Sequence, residues 1–260
     1  MSTTFAPPIA ADTIGVDARP GLGRLAAVEL RKMVDTQAGF WMQVAIVALT
    51  VLVVIVALAV GEAADHTFAA VFEVSVFPAA VLLPVAGILL VTSEWSQRTG
   101  LVTFALVPVR SRVLAAKVIA SVTLTIATLA LCAAVVAAGV LAASPPANGA
   151  WSDAGTLIAQ TAVYLTGGVL TGVAFGAVVL ASAPAIVALF ALPITWTAVA
   201  SLSLFADVAP WLDTRLALAP LRQEVLSSTQ WAQVGTALAL WMLLPLLIGI
   251  WRITRREVSI

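Results

Sequence analysis

Ionisable side chains are scarce in this sequence. Asp, Glu, Lys and Arg make up 10% of its 260 residues, whereas a soluble domain carries about 25%. Apolar residues make up 62%, and mean hydropathy is +1.08. A chain with so little polar surface reads as a polytopic membrane protein. Cationic and acidic residues number 13 each, so net charge is zero and calls for no nucleic-acid partner. The single cysteine, Cys132, excludes an intramolecular disulfide and a thiolate metal cluster; in its apolar run it reads as a buried, inert thiol. The single histidine, His66, lies beside Asp65 between two apolar runs and reads as a solvated loop residue. No GxxxxGK[ST] phosphate loop is present, so the chain is expected not to hydrolyse nucleotide itself. HExxH, paired CxxC and nucleophile-elbow patterns are also absent, which leaves no enzyme reading and no metal site. The first twenty residues lack the basic-then-apolar order of a cleavable signal peptide. Finally, no apolar run holds an ionisable residue at its centre, so no carboxylate offers a proton or sodium relay.

What is present is apolar length. A bilayer-spanning helix needs about 20 apolar residues. Six runs qualify, at about 41–61, 74–92, 113–143, 156–182, 184–205 and 231–251. The fold expected is all-α, one six-span domain over 22–260 behind a loosely ordered tail at 1–21. Lys and Arg set orientation. With the amino terminus inside, Arg19, Arg24, Arg31, Lys32, Arg98, Arg110, Arg112, Lys117, Arg252, Arg255 and Arg256 all fall on the cytoplasmic side. Only Arg215 and Arg222 fall outside. Both termini are then cytoplasmic. Trp41, Trp231 and Trp251 sit at run boundaries, where amphipathic rings settle. Pro78, Pro84, Pro193 and Pro245 fall within runs, where they kink helices.

Four segments stand apart. In the first, 22–38, Leu22, Leu25, Ala26, Leu30, Met33 and Val34 recur at helical spacing, with Arg24, Arg31, Lys32 and Asp35 largely opposite. That is an amphipathic helix in the cytoplasmic interface, either a plain anchor or an element that also offers Glu29, Arg31 and Lys32 to a partner. The second runs SEWSQRTGLVTFALVPVRSRVLAAK, from Ser93 to Lys117. Glu94 and Arg98 are four apart and can pair on a helix. Residues 99–107 suffice for about two helical turns, Pro108 ends them, and Ser111 can cap the third span. Arg110, Arg112 and Lys117 gather at this hinge; their charges alone would also serve topology and lipid phosphates. The third segment places Gly168, Gly172 and Gly176 on one helix face, a stripe for close helix packing. The fourth, 206–230, is too polar to span; its leucines and Trp211 suit half-inserted helices of a re-entrant outer cap, or an ordinary amphipathic loop.

The order Glu94, Thr99-Gly100, an apolar helix, Pro108-Val109-Arg110 and Lys117 resembles the membrane subunits of bacterial type-2 ABC exporters. The Glu29–Lys32 stretch, ELRK, is similar to that family's elbow helix. The family commonly shows the Gly-Thr pair in the opposite order. The resemblance implies a second permease copy or paralogue and two cytosolic ATPase subunits, which would bind ATP and Mg; this chain would bind no cofactor. It implies a coupling helix at 99–107 seated on the ATPase, with Glu94, Arg98, Thr99, Gly100, Phe104, Pro108, Arg110, Arg112 and Lys117 at or around that seat. Spans one, two and five would line a path with scattered hydroxyls such as Thr50, Ser75, Thr195, Thr197 and Ser201, beneath a lid made by the outer segment. The implied activity is export of an amphipathic or hydrophobic drug, lipid-like molecule or peptide across the bacterial plasma membrane. The alternative is a channel or secondary transporter outside that family, whose basic loop serves only topology.

Overall fold

The computed structural model describes residues 21–62, 65–96, 110–143 and 149–255. The expected coupling helix at 99–107, with Arg98, Thr99, Gly100, Phe104 and Pro108, lies outside the described residues, as does the side chain of Arg110. Among the described residues the regular elements are all helices. Six stretches are long and apolar enough to cross a membrane: Gln37–Val60, Phe68–Glu94, Ser111–Ala142, Ala154–Val179, Ser182–Ala200 and Ser228–Ile253. The chain is a multi-pass membrane protein, and these are spans one to six. A further helix, α1, covers Leu22–Asp35. The end of the bundle at which α1 lies is termed proximal, the other distal.

Local chemistry explains the boundaries. The Thr36 hydroxyl accepts from the Gly39 N–H at 3.2 Å and starts span one. Span two begins at Phe68, not near 74 as the apolar run suggests. Thr67 caps it, accepting from Ala70 N–H at 3.3 Å. Glu73 does not end the helix, because at the distal rim its carboxylate accepts from Gln223 Nε2 at 2.7 Å. The helix breaks at Val76 and resumes over Phe77–Ser96. Pro78 thus falls in a first turn, where its missing N–H costs nothing. Pro245 lies within span six, just past a π-helical segment, Ala239–Leu243, that absorbs an extra residue. Pro84 and Pro193 do lie inside helices. Span five stops at Ala200 and gives way to a short 3-10 turn at Ser203–Phe205. Spans four and five are joined through Leu180, whose left-handed backbone (φ 60) reverses the chain at once.

Spans two and four form the centre. Their apolar windows are 61% and 50% buried, against 17%, 11% and 17% for spans one, five and six. The stripe Gly168, Gly172 and Gly176 faces span two of the same chain. A Cβ at Gly176 would come 3.2 Å from the Ile88 carbonyl oxygen; one at Gly172 would overlap the Pro84 carbonyl outright. Gly87 of span two returns the contact, with room for nothing larger against Val169. Backbone rests on backbone, the closest packing helices can reach. Distally, Phe68 stacks on Phe72 with ring centroids 5.0 Å apart, within a core that includes Ile46, Leu83, Val136 and Leu165. Proximally, Met33 of α1 enters a cluster with Leu90 and Leu124.

The distal segment between spans five and six folds into short helices, Ala209–Leu212, Thr214–Leu218 and Pro220–Gln223. Two side chains of the spans hold it. Gln160 of span four donates to the Glu224 carbonyl at 2.6 Å and accepts from the Leu226 N–H at 3.0 Å. Trp241 Nε1 donates to the Leu212 carbonyl at 2.8 Å. Trp241 stands midway along span six, so this bond ties the segment to the middle of that span.

Candidate functional site

Helix α1 turns an unexpected stripe inward. Its buried residues are Ala26, Glu29 and Met33, so a glutamate occupies the centre of the packed face. The helix lies mainly across the start of span three and also touches spans one and two. This brings Glu29 and Lys32 to the proximal ends of spans two and three, where Glu94 and Lys117 stand.

Among the described residues the four side chains form one network. Lys117 Nζ donates to Glu29 Oε2 at 2.7 Å, to Glu94 Oε1 at 3.0 Å and to the Leu90 carbonyl at 3.1 Å. All three ammonium protons are thereby used. Lys32 Nζ donates to Glu29 Oε1 at 2.6 Å and to Glu94 Oε1 at 3.0 Å. Two carboxylates thus meet two ammoniums, and the sum of charge is zero. Glu29, Glu94 and Lys117 are buried, with side chains no more than 7% exposed; Lys32 is 39% exposed and forms the rim. Burial works against the Lys32 ammonium, but the hydrogen bond and charge of Glu29, with those of Glu94, outweigh it and hold its pKa above the usual lysine value.

Such a network is a lock, not a reactive centre. Each buried charge has lost its water, and its partners replace that water only in this arrangement. Both carboxylates hold lysine ammoniums, and among the described residues no group of three or more His, Cys, Asp or Glu comes together as a metal site. Removing α1 from the spans would take Glu29 and Lys32 away together and leave Lys117 and Glu94 a bare pair, each short of a charged partner it has now. The lock therefore makes α1, the end of span two and the start of span three one mechanical body. The segment 97–109 is the connection between those two spans.

The other sequence-predicted residues take different places. Arg31 is exposed on α1, and Arg112 is half-buried near the start of span three. Gly168, Gly172 and Gly176 lie at the span-two contact. Thr50 and Ser75 are fully buried among spans one, two and three; the Thr50 hydroxyl lies 3.4 Å from the Ser75 carbonyl and 3.6 Å from Cys132 Sγ. Thr195 and Ser201 donate to carbonyls of their own helical turns. Sequence reasoning paired Glu94 with Arg98 and did not foresee that Lys32 and Lys117 bridge Glu94 to Glu29. The signal was available: residues 26, 29 and 33 share one helical face.

No protein-family model matches the chain, and no curated protein matches it.

Proposed function

We propose that this chain is the permease subunit of an ATP-driven ABC exporter, working as a homodimer or as half of a heterodimeric pair with two cytosolic ATPase subunits. In this reading α1 is the elbow helix, the proximal end faces the bacterial cytosol, and residues 99–107 form a coupling helix that the ATPase pushes. ATP and Mg belong to the partner subunit.

The observation that carries this reading is the Glu29–Lys32–Glu94–Lys117 lock. Among the described residues the carboxylates of the spans are Glu73, held by Gln223 at the distal rim, and Glu94, held in the lock, and neither stands at the middle of a span as an ion relay would. Work must then enter by contact. A contact made on the 97–109 segment meets two spans and an interfacial helix that the lock obliges to move together. Without the lock, a push would flex a connection; with it, the push tilts spans two and three as a unit. The excess of Lys and Arg at the same end supports a cytosolic placement, where an ATPase is found.

The test is purification of the full chain from its native membrane at low salt. A phosphate-loop ATPase should accompany it in equal numbers, and amphipathic compounds should stimulate the hydrolysis. Arg110→Glu should leave the chain inserted and folded while co-purification drops and residual hydrolysis loses its link to transport. If no ATPase accompanies the wild-type chain, or if Arg110→Glu transports normally, the reading fails.

A further inference from the structure

A cavity of about 310 Å³ lies toward the distal end, between spans two, four, five and six and the segment that joins spans five and six. Its volume is at the lower end of the range for small-molecule sites, about 300–1,000 Å³. Pro84, Leu165, Leu189, Pro193 and Leu238 are among its apolar walls. Its polar lining is of one sign. Arg215 and Arg222 both line it, and neither forms an ion pair among the described residues.

Two of the neutral polar groups around them, on Trp241 and Thr171, are already committed. Trp241 Nε1 is held by the Leu212 carbonyl, and Thr171 Oγ1 donates to the Gly167 carbonyl at 2.8 Å. Arg222 is fixed but not satisfied. Its guanidinium carbon lies 5.0 Å from the Tyr164 ring centroid, and Nη1 reaches the Glu73 carbonyl at 3.3 Å. Its Nε is buried and has no hydrogen-bond partner. The guanidinium as a whole keeps its charge without a carboxylate partner among the described residues. Arg215 is exposed, as is Phe190 at 39%, so the cavity reaches the surface at a rim holding one cation and one aromatic ring.

We infer that this cavity binds a small anionic amphiphile, one carboxylate, sulfate or phosphate head on an apolar body. The head sits between the Arg215 and Arg222 guanidiniums, and the body lies along Pro84, Leu165 and Leu189. A guanidinium suits such a head because it donates in a planar fork and stays charged when desolvated. An apolar ligand would leave both charges unanswered, and a cationic one would meet like charge. The inference deepens the export reading by naming a substrate class; in that reading the cavity is the exit side of the path. It also places that site inside one subunit, on spans two, four, five and six.

The test needs no ATPase. The full chain in zwitterionic nanodiscs is titrated with a twelve-carbon alkyl sulfate below its micellar concentration, following tryptophan fluorescence. The same tail on a trimethylammonium head and inorganic sulfate alone are titrated alongside. The alkyl sulfate should saturate and bind at least about 10-fold more tightly than either, the range of a charge-assisted hydrogen bond. Arg215→Gln, at an exposed side chain without a partner, and Arg222→Gln should each remove most of that preference. Leu165→Trp, checked for a monodisperse, folded chain, should fill the cavity and abolish binding with both arginines intact. Equal binding of the two detergents, binding of inorganic sulfate as tight as the amphiphile, or wild-type affinity in Arg215→Gln would each overturn the inference. If the anionic preference holds while no ATPase accompanies the chain, the cavity stands and the export reading falls. Stimulated hydrolysis without anionic preference gives the converse.

Discussion

Lys117 of span three and Glu29 of α1 meet at 2.7 Å although 88 residues separate them. The contact turns an interfacial helix into part of the transmembrane body. It also fixes how the lock responds to mutation. Lys117→Met leaves two buried carboxylates with Lys32 alone, and should destabilise the fold by about 3–5 kcal/mol, the cost of breaking a buried pair. Adding Glu29→Gln removes one charge of each sign and should restore part of the loss. Thermal unfolding in detergent reads both. A double variant no more stable than Lys117→Met would mean that the two residues are not coupled.

The span-two to span-four contact should be intolerant of a single methyl group. Gly172→Ala places its Cβ in the Pro84 carbonyl, forces the helices apart and should cost about 1–3 kcal/mol, the usual range for overpacking. Gly155 has no heavy atom within 4 Å of a built Cβ, so Gly155→Ala should be neutral or stabilising. Equal melting points for the two variants would refute the packing argument.

Orientation can be read with an impermeant thiol reagent on whole cells. Cys132 is 1% exposed and should stay silent, so the native cysteine need not be removed. Asp153 and Ser111 are both exposed, at opposite ends of the bundle. Asp153→Cys should react and Ser111→Cys should not, until the membrane is permeabilised. The reverse pattern inverts the topology.

Alkaline pH should loosen the rim of the lock. The folded-state pKa of Lys32 is raised, so its stabilising contribution is complete below its unfolded value of 10.5 and is lost as pH climbs through the higher folded value. Wild-type stability should therefore fall further above about pH 10.5 than that of Lys32→Gln. Parallel curves would show that Lys32 does not interact with the acids in the folded state.

The sequence disclosed the features that depend on local pattern. Apolar length marks the six spans because the bilayer demands it, and glycines four apart mark a face wherever it packs. Boundaries were less legible. The apolar run suggested that span two starts near 74, yet the helix begins at Phe68 and Gln223, 150 residues beyond Glu73, accommodates that charge. Pro78 read as a kink within a span but occupies a first turn, since it follows the break at Val76, whereas Pro245 lies within span six just past its π-helical segment. The lock itself was half visible. Glu29, Lys32, Glu94 and Lys117 all stood out as charges in an apolar chain, but they were assigned to a partner, to lipid or, for Glu94, to Arg98, and not to one another. Only the angle at which α1 crosses span three turns them toward one another, and that angle is set by Met33 finding its place beside Leu90 and Leu124.

The neutrality and burial of the lock separate two kinds of contact at the proximal end. Dissolved ions screen charges that water reaches, over about 8 Å at physiological ionic strength and about 3 Å at 1 M. They have no entry between Lys117 and its two carboxylates. A concentrated salt wash should therefore strip any partner held by Arg31 or the other exposed cations, while α1 stays seated on the spans. Ionic strength becomes a means of undressing the chain without unfolding it.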